Sequence, residues 1–230
     1  MPEEPLQIVV LLFPNVTQLD FTGPAQIFSK FPNTQMHLAW HDLNPVRTDA
    51  GWCIVPTTTL KNCPQADVLF VPGGGGTFDL FEDVAALEFL RGQAAHARWV
   101  TSVCTGSFAL AAAGLLKGYR ATSHWASLKM LDAFGVTPVS ERVVRDGNRI
   151  TGAGVTSGID FAFVLAAELF GDDVARRIQL AVEYDPAPPF DHGSPAKADP
   201  QIVKEILVAT EELRHQSVQR ASQAARIYER

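Results

Sequence analysis

The sequence predicts an α/β fold: a mostly parallel central sheet with helices on both faces, a small accessory hairpin and a C-terminal helix extension. Three observations carry this expectation. Gln7–Phe13 (QIVVLLF), Ala66–Val71 (ADVLFV) and Trp99–Val103 (WVTSV) are unbroken apolar or β-branched runs of strand length, the pattern of strands covered on both faces. Segments with helical spacing lie between and after these runs, as connections between parallel strands require. Finally, Trp99–Leu116 joins such a strand to an alanine-rich helix through Cys104-Thr105-Gly106, a sharp turn flanked by buried elements.

With 230 residues, 47% of them hydrophobic and 19% charged, the chain is long enough for one large α/β domain or two small ones, and the single domain is the expectation. That domain is expected over residues 1–184, with 185–230 as a Pro-rich segment and a helix packed on the domain or on a partner subunit. A formal net charge of −6 implies no basic surface and argues against nucleic acid as a partner. Cys53, Cys63 and Cys104 make no disulfide framework and show no metal spacing, which points to a reducing, cytoplasmic setting. The acidic start MPEEPLQ shows no signal peptide, and no apolar run reaches membrane-span length.

In chain order, Pro14-Asn15 ends the first strand, and a helix is expected to start at Thr22-Gly23-Pro24 and run to about Phe31. Asp20 then falls in the loop at the carboxyl end of the first strand, where open α/β sheets place their ligand sites. Met36–Trp40 reads as a strand, and Val46–Thr48 with Cys53–Pro56 as a hairpin beside the main sheet. Ala66–Val71 runs into Pro72 and four consecutive glycines, whose backbone can approach a bound group and aim N–H donors at it. Asp79–His96 has the spacing of one amphipathic helix. Past the cysteine helix, Tyr119–Ser123 reads as a strand, followed by a helix from His124-Trp125 through Phe134. Val136–Val144 and Asn148–Thr151 are joined by an Asp146-Gly147 turn, and a long apolar helix capped by Thr156 or Ser157 ends near Phe170-Gly171. Asp172–Tyr184 is another helix, Asp185–Pro200 is irregular and proline-rich, and Gln201–Arg230 is a long amphipathic helix.

Cys104 is the leading candidate for a nucleophile. A helix N-terminus presents unpaired N–H groups and partial positive charge, which favour a thiolate. A lone cysteine is ordinarily just a small core residue, and it is the strand–Cys–Thr–Gly–helix context that separates this one. Asp20, between Leu19 and Phe21, is either a buried functional acid or a loop cap. Gly74 and Gly75 are expected to supply oxyanion-type donors opposite Cys104. His124 is the histidine nearest a core strand end, and stands either as a base or as a group supporting the reactive pair.

The strings ADVLFVPGGGG, VTSVCTGSFALAAAGLLKGYRATSHW and ITGAGVTSGIDFAFVLAAELFG resemble the ThiJ/PfpI superfamily of class I glutamine-amidotransferase-like, flavodoxin-like sandwiches, over roughly residues 7–184. LFPNVTQLDFTGPAQIF and EYDPAPPFDHGSP resemble its isonitrile hydratase branch. Related sequences form the first half of AraC-type regulators, but the residues after Tyr184 are too few for their DNA-reading module. Protease-like members carry histidine directly after the cysteine where this chain has Thr105, which disfavours peptidase chemistry. The resemblance implies a cofactor-free, homodimeric hydratase of small isonitriles. In it Cys104 forms a covalent thioimidate, Asp20 is the general acid and base, and Thr105 hydrogen-bonds and orients Asp20. A glyoxalase or amidase-like activity, and a non-catalytic redox sensor built on Cys104, are the alternatives.

Overall fold

The computed structural model describes residues 4–211, 219 and 220. Its strands are β1 (Leu6–Leu11), β2 (Thr34–Trp40), β3 (Val46–Arg47), β4 (Cys53–Ile54), β5 (Thr58–Thr59), β6 (Val68–Val71), β7 (Trp99–Val103), β8 (Arg120–Ala121), β9 (Thr137–Pro138), β10 (Val143–Asp146) and β11 (Arg149–Gly152). Its α-helices are α1 (Gln18–Phe28), α2 (Val84–Ala94), α3 (Gly106–Ala112), α4 (Ser157–Phe170), α5 (Asp172–Ala181) and α6 (Pro200–Ala209).

The central sheet has the order β10-β11-β7-β6-β1-β2-β5, parallel throughout except for β10. The three unbroken apolar runs thus become its three middle strands. Alternate side chains along β1 serve opposite faces: Val9 and Leu11 meet residues of α2 and α3, while Ile8 and Val10 meet residues of α1, α4 and α5. Each such side chain, withdrawn from water, contributes about 1.5–3 kcal/mol, so the two layers lock the strand register from both sides. β3 and β4 form the separate hairpin expected from the sequence.

Several local expectations are corrected. α1 begins a turn earlier than the Thr22-Gly23-Pro24 signal indicated, so Asp20 sits in the first turn of a helix rather than in a loop. Pro24 lies inside that helix, where it removes one backbone hydrogen bond. Its ring packs so closely on α4 that a Cβ at Gly158 would come within 2.8 Å of it. The single helix expected over Asp79–His96 is two pieces, a 3-10 segment Gly75–Glu82 and α2. Asp83 breaks them by capping α2, accepting from the Ala86 N–H at 3.0 Å. The strand expected at Tyr119–Ser123 shrinks to β8, which pairs with β9 outside the central sheet, and the helix after it is the 3-10 segment Leu128–Phe134. α6 is described to Ala209; most of the helix expected beyond it lies outside the described residues.

Candidate active site

Cys104 occupies the junction between β7 and α3 with φ +56°, a left-handed backbone rarely adopted by non-glycine residues and typical of strained functional turns. The Cys104 N–H donates to the carbonyls of Gly152 and Ala153, at 3.0 and 2.7 Å. Its own carbonyl accepts from the Ser107 and Ser123 hydroxyls, at 3.1 and 2.9 Å. The peptide is therefore held on both edges, which offsets the strain. Gly106 is obligatory here, since a Cβ would fall 2.2 Å from the Val71 carbonyl oxygen. The tight strand-to-helix turn foreseen from the sequence is thus made possible by a close approach between the β6 and β7 loops.

Asp20 is fully buried. The first glycine of the loop after β6 secures it: the Gly73 N–H donates to Asp20 Oδ2 at 3.0 Å, and the Gly73 carbonyl accepts from the Thr17 N–H at 2.8 Å. A Cβ at Gly73 would meet the Thr105 nitrogen at 2.6 Å and Asp20 Oδ2 at 2.7 Å, so glycine is required by the closeness of these two groups. Burial pushes the Asp20 carboxyl up to about 7, against the pull of its contact with the Cys104 thiol and of the Gly73 N–H; the Asp49 charge adds to the rise. Oδ1 is buried with no well-formed hydrogen bond among the described residues, which leaves one carboxyl oxygen available for proton exchange.

The thiol behaves differently from the sequence expectation. Burial, and then the neighbouring Asp20 charge, push Cys104 well above the ordinary thiol range, while the Thr105 backbone N–H and hydroxyl pull it down. The turn therefore does not hold a free-standing thiolate. The two groups act as one buried acid pair, in which ionising either raises the cost of ionising the other.

Thr105 is next to the sulfur, but its hydroxyl does not orient Asp20 as the resemblance implied. Thr105 Oγ1 accepts from the Gly74 N–H at 2.9 Å, donates to the Gly74 carbonyl at 3.1 Å and lies 3.2 Å from the Thr77 hydroxyl. The expectation that Gly74 offers a free oxyanion donor is corrected by the same contact, because its N–H is already engaged. Gly75 is exposed and opens the 3-10 segment. The residue that sequence reasoning missed is Gly73. Its signal was available: it is the glycine nearest the end of β6, directly after Pro72.

His124 does not bond to either member of the pair. Its Nδ1 accepts from the Ala126 N–H at 3.3 Å, and burial lowers its pKa, so the ring is neutral near pH 7. It lines a cavity of about 330 Å³ together with Ser123, Trp125, Leu128, Ala153 and Val155. Neither Cys104 nor Asp20 is among the residues lining that cavity, but Ser123 and Ala153 are hydrogen-bonded to the Cys104 backbone. Among the described residues no cluster of three or more His, Cys, Asp or Glu side chains could hold a metal ion. Also among the described residues, no helix is long and apolar enough to cross a membrane.

Comparison with known proteins places this geometry in a family. The DJ-1/PfpI family pattern matches residues 6–168, and the chain belongs to that family. It is 56% identical over 200 residues to the isonitrile hydratase of Pseudomonas putida, covering 87% of this chain and 88% of that one. The crystal structure of a ThiJ/PfpI family protein from Pseudomonas syringae superposes with a TM-score of 0.91 at 43% identity, covering 96% of this chain and 90% of the other. Drosophila melanogaster DJ-1beta shares the fold with a TM-score of 0.72 at 24% identity, over 79% of this chain and all of that one.

Proposed function

We propose that this member of the DJ-1/PfpI family hydrates isonitriles, converting R–NC and water to the N-substituted formamide. The observation that carries the reading is the buried Asp20 carboxyl, held near neutrality against the Cys104 thiol. The 56% identity to the Pseudomonas putida isonitrile hydratase supports it. An isonitrile carbon has a lone pair and becomes electrophilic once it takes a proton, so the reaction needs a proton donor and a nucleophile on the same carbon. A buried carboxyl–thiol pair supplies both.

In the first step the thiol proton passes through Asp20 to the isonitrile carbon while the sulfur forms its bond there, giving the thioimidate R–N=CH–S–Cys104. No charge is created overall, which suits a pair as buried as Asp20 and Cys104. In the second step Asp20 takes a proton from water as the oxygen adds to the thioimidate carbon, and the nitrogen is protonated. The tetrahedral R–NH–CH(OH)–S–Cys104 then expels the sulfur as its C–O bond becomes a carbonyl. The hydroxyl proton returns through Asp20 to the thiol. Gly73 holds Asp20, and Thr105, its hydroxyl tied to Gly74, offers the sulfur its backbone N–H as charge develops on it.

The reactive form is the pair bearing one net negative charge, whichever atom holds the remaining proton. The chain is also read as a cytoplasmic homodimer. The free thiols of Cys53, Cys63 and Cys104 fit a reducing compartment. α6 has no buried residue, with Ile202 and Ile206 45% and 43% exposed, a face that suits burial against a second copy. The division into a catalytic domain over residues 1–184 and an appended segment over 185–230 goes with this reading.

The test is direct. Phenyl isonitrile incubated with the protein should yield N-phenylformamide, followed by NMR, with methylglyoxal left unchanged in a parallel incubation. Turnover of methylglyoxal without formamide production would favour the glyoxalase alternative and overturn the assignment.

A further inference from the structure

The β3–β4 hairpin stands outside the central sheet, yet its turn reaches the helix that carries Asp20. Thr48 is buried, and both its N–H and its hydroxyl donate to the Trp52 carbonyl at 2.8 Å, which pins the turn shut. From that turn the Asp49 N–H donates to the Val16 carbonyl at 3.1 Å, and Asp49 Oδ1 accepts from the Gln18 N–H at 3.1 Å. On its other side Val16 bridges to Gly74, and the Thr17 N–H donates to the Gly73 carbonyl. Residues 15–17 therefore run between the hairpin and the glycine loop and pass directly into α1.

α1 needs a partner from outside itself. The first four N–H groups of a helix have none within it, and Thr17, at the cap position, makes no side-chain bond to them. The Gln18 N–H opens the helix, and the carboxylate that accepts it comes from Asp49, 31 residues further along the chain. Asp20 lies in the same first turn, its own N–H donating to the Thr17 carbonyl at 3.0 Å. A carboxylate suits this place twice over. It engages an open donor, as an N-cap side chain does, and it faces the positive end of the helix dipole.

Asp49 also acts on Asp20 through its charge. It is exposed, and its negative charge disfavours ionising the buried carboxyl. The other titratable group acting on Asp20 is the Cys104 thiol. α1 itself, the glycine loop and α3 contain no further titratable residue, and α4 turns Gly158 and Ile159 toward α1.

We propose that Asp49 is a positioning residue for the reactive pair: from the hairpin turn its carboxylate closes the first turn of α1 and so holds Asp20 at Cys104. The inference rests on the hydration reading and extends it to a residue that touches neither the sulfur nor the substrate.

Two variants separate cap from charge. Asp49→Asn keeps an acceptor oxygen and loses the charge, whereas Asp49→Ala loses both. With phenyl isonitrile at pH 8, Asp49→Ala should lower kcat about three- to tenfold with KM within about twofold, and Asp49→Asn should recover most of that loss. In both, the acid limb of kcat/KM should move down by about 0.3–0.5 pH unit. Near pH 6, Asp49→Asn should then exceed the wild type by about twofold, a gain that loss of structure does not produce. Asp49→Ala no slower than Asp49→Asn, or an acid limb unmoved in both, would overturn the proposal.

Carbon-13 NMR of aspartate-labelled protein, with Asp20→Asn to assign the resonance, follows the Asp20 carboxyl without substrate. If no isonitrile is turned over yet Asp49→Asn lowers the Asp20 midpoint, hydration falls and the role of Asp49 at the pair holds. If isonitriles are hydrated and neither variant changes kcat or the Asp20 midpoint, the Asp49 assignment falls alone. An unmoved midpoint without turnover ends both.

Discussion

Two short helices, α3 and α6, stand at opposite ends of the range of burial in this molecule. α3 is Gly106–Ala112, GSFALAA, and every residue in it is buried. α6 is Pro200–Ala209, PQIVKEILVA, and none is. By side-chain hydrophobicity the order should be reversed, because α6 carries Ile202, Val203, Ile206, Leu207 and Val208, and α3 is mostly small residues. Apolar content gives a helix a reason to be covered, but small size is what lets it fit against a sheet. α3 lies between the central sheet and the 3-10 segments, with contacts too close for larger side chains near its start. Cys104 sits at its start, where backbone positions are most constrained. Of the large aliphatics of α6, Ile202, Ile206 and Val208 stay exposed and Val203 and Leu207 half-buried.

Substitutions at the two ends of this range should differ accordingly. The largest effects belong to the reactive pair. Cys104→Ala should remove formamide production, a loss of at least about 10³-fold in kcat, with the thermal unfolding transition retained. Residual turnover near the wild-type rate would end the covalent mechanism. Asp20→Asn should cost roughly 10²–10⁴-fold, and the wild-type kcat/KM should fall below pH 7 with unit slope, since Asp20 is held at about 7. An acid limb near the ordinary carboxyl value, or one that survives in Asp20→Asn, would detach Asp20 from proton transfer.

The same carboxyl makes a stability prediction with a definite sign. Its value rises from 3.8 to about 7 on folding, so folding favours the protonated form. The penalty for ionising it is absent below about pH 4, grows between pH 4 and 7 and is complete above pH 7. Asp20→Asn should therefore stabilise the protein at pH 8, by up to about 4 kcal/mol on the order-of-magnitude conversion of such a shift. That gain should vanish near pH 4. Denaturant melts at the two pH values check it, and a variant less stable than wild type at pH 8 contradicts it.

Within α3, Gly106→Ala should destabilise by about 1–3 kcal/mol and reduce activity, because its methyl group would press on the Val71 carbonyl. On α6 the paired change Ile202→Lys and Ile206→Lys should alter the stability of the folded chain by no more than about 0.5 kcal/mol. Sedimentation equilibrium should show it weakening self-association. A large loss of stability with no change in assembly would mean that α6 packs on its own domain, and the contrast with α3 would shrink.

Much of this was legible in the chain. The apolar runs of β1, β6 and β7 announced a doubly covered parallel sheet because their burial on both faces leaves no polar alternation. The small residues after Cys104 announced the turn because no others would fit it. The helical spacing on both sides of Asp83 hides the break it makes by capping α2, and Pro24 packs on α4 across a distance the local pattern does not encode. Gly73 was passed over for its neighbours because the four glycines are equivalent until a carboxylate and a threonine are brought to them.

The sequence by itself determined which residues could form strands and where the chain would turn at Cys104, since those depend on local periodicity and side-chain size. The tertiary structure decided that Asp20 and Cys104 form one acid pair, that Gly73 holds it, and that the hairpin brings Asp49 to the start of α1. Such features arise from desolvation and from contacts between residues far apart in the chain, and both exist only once the layers have packed.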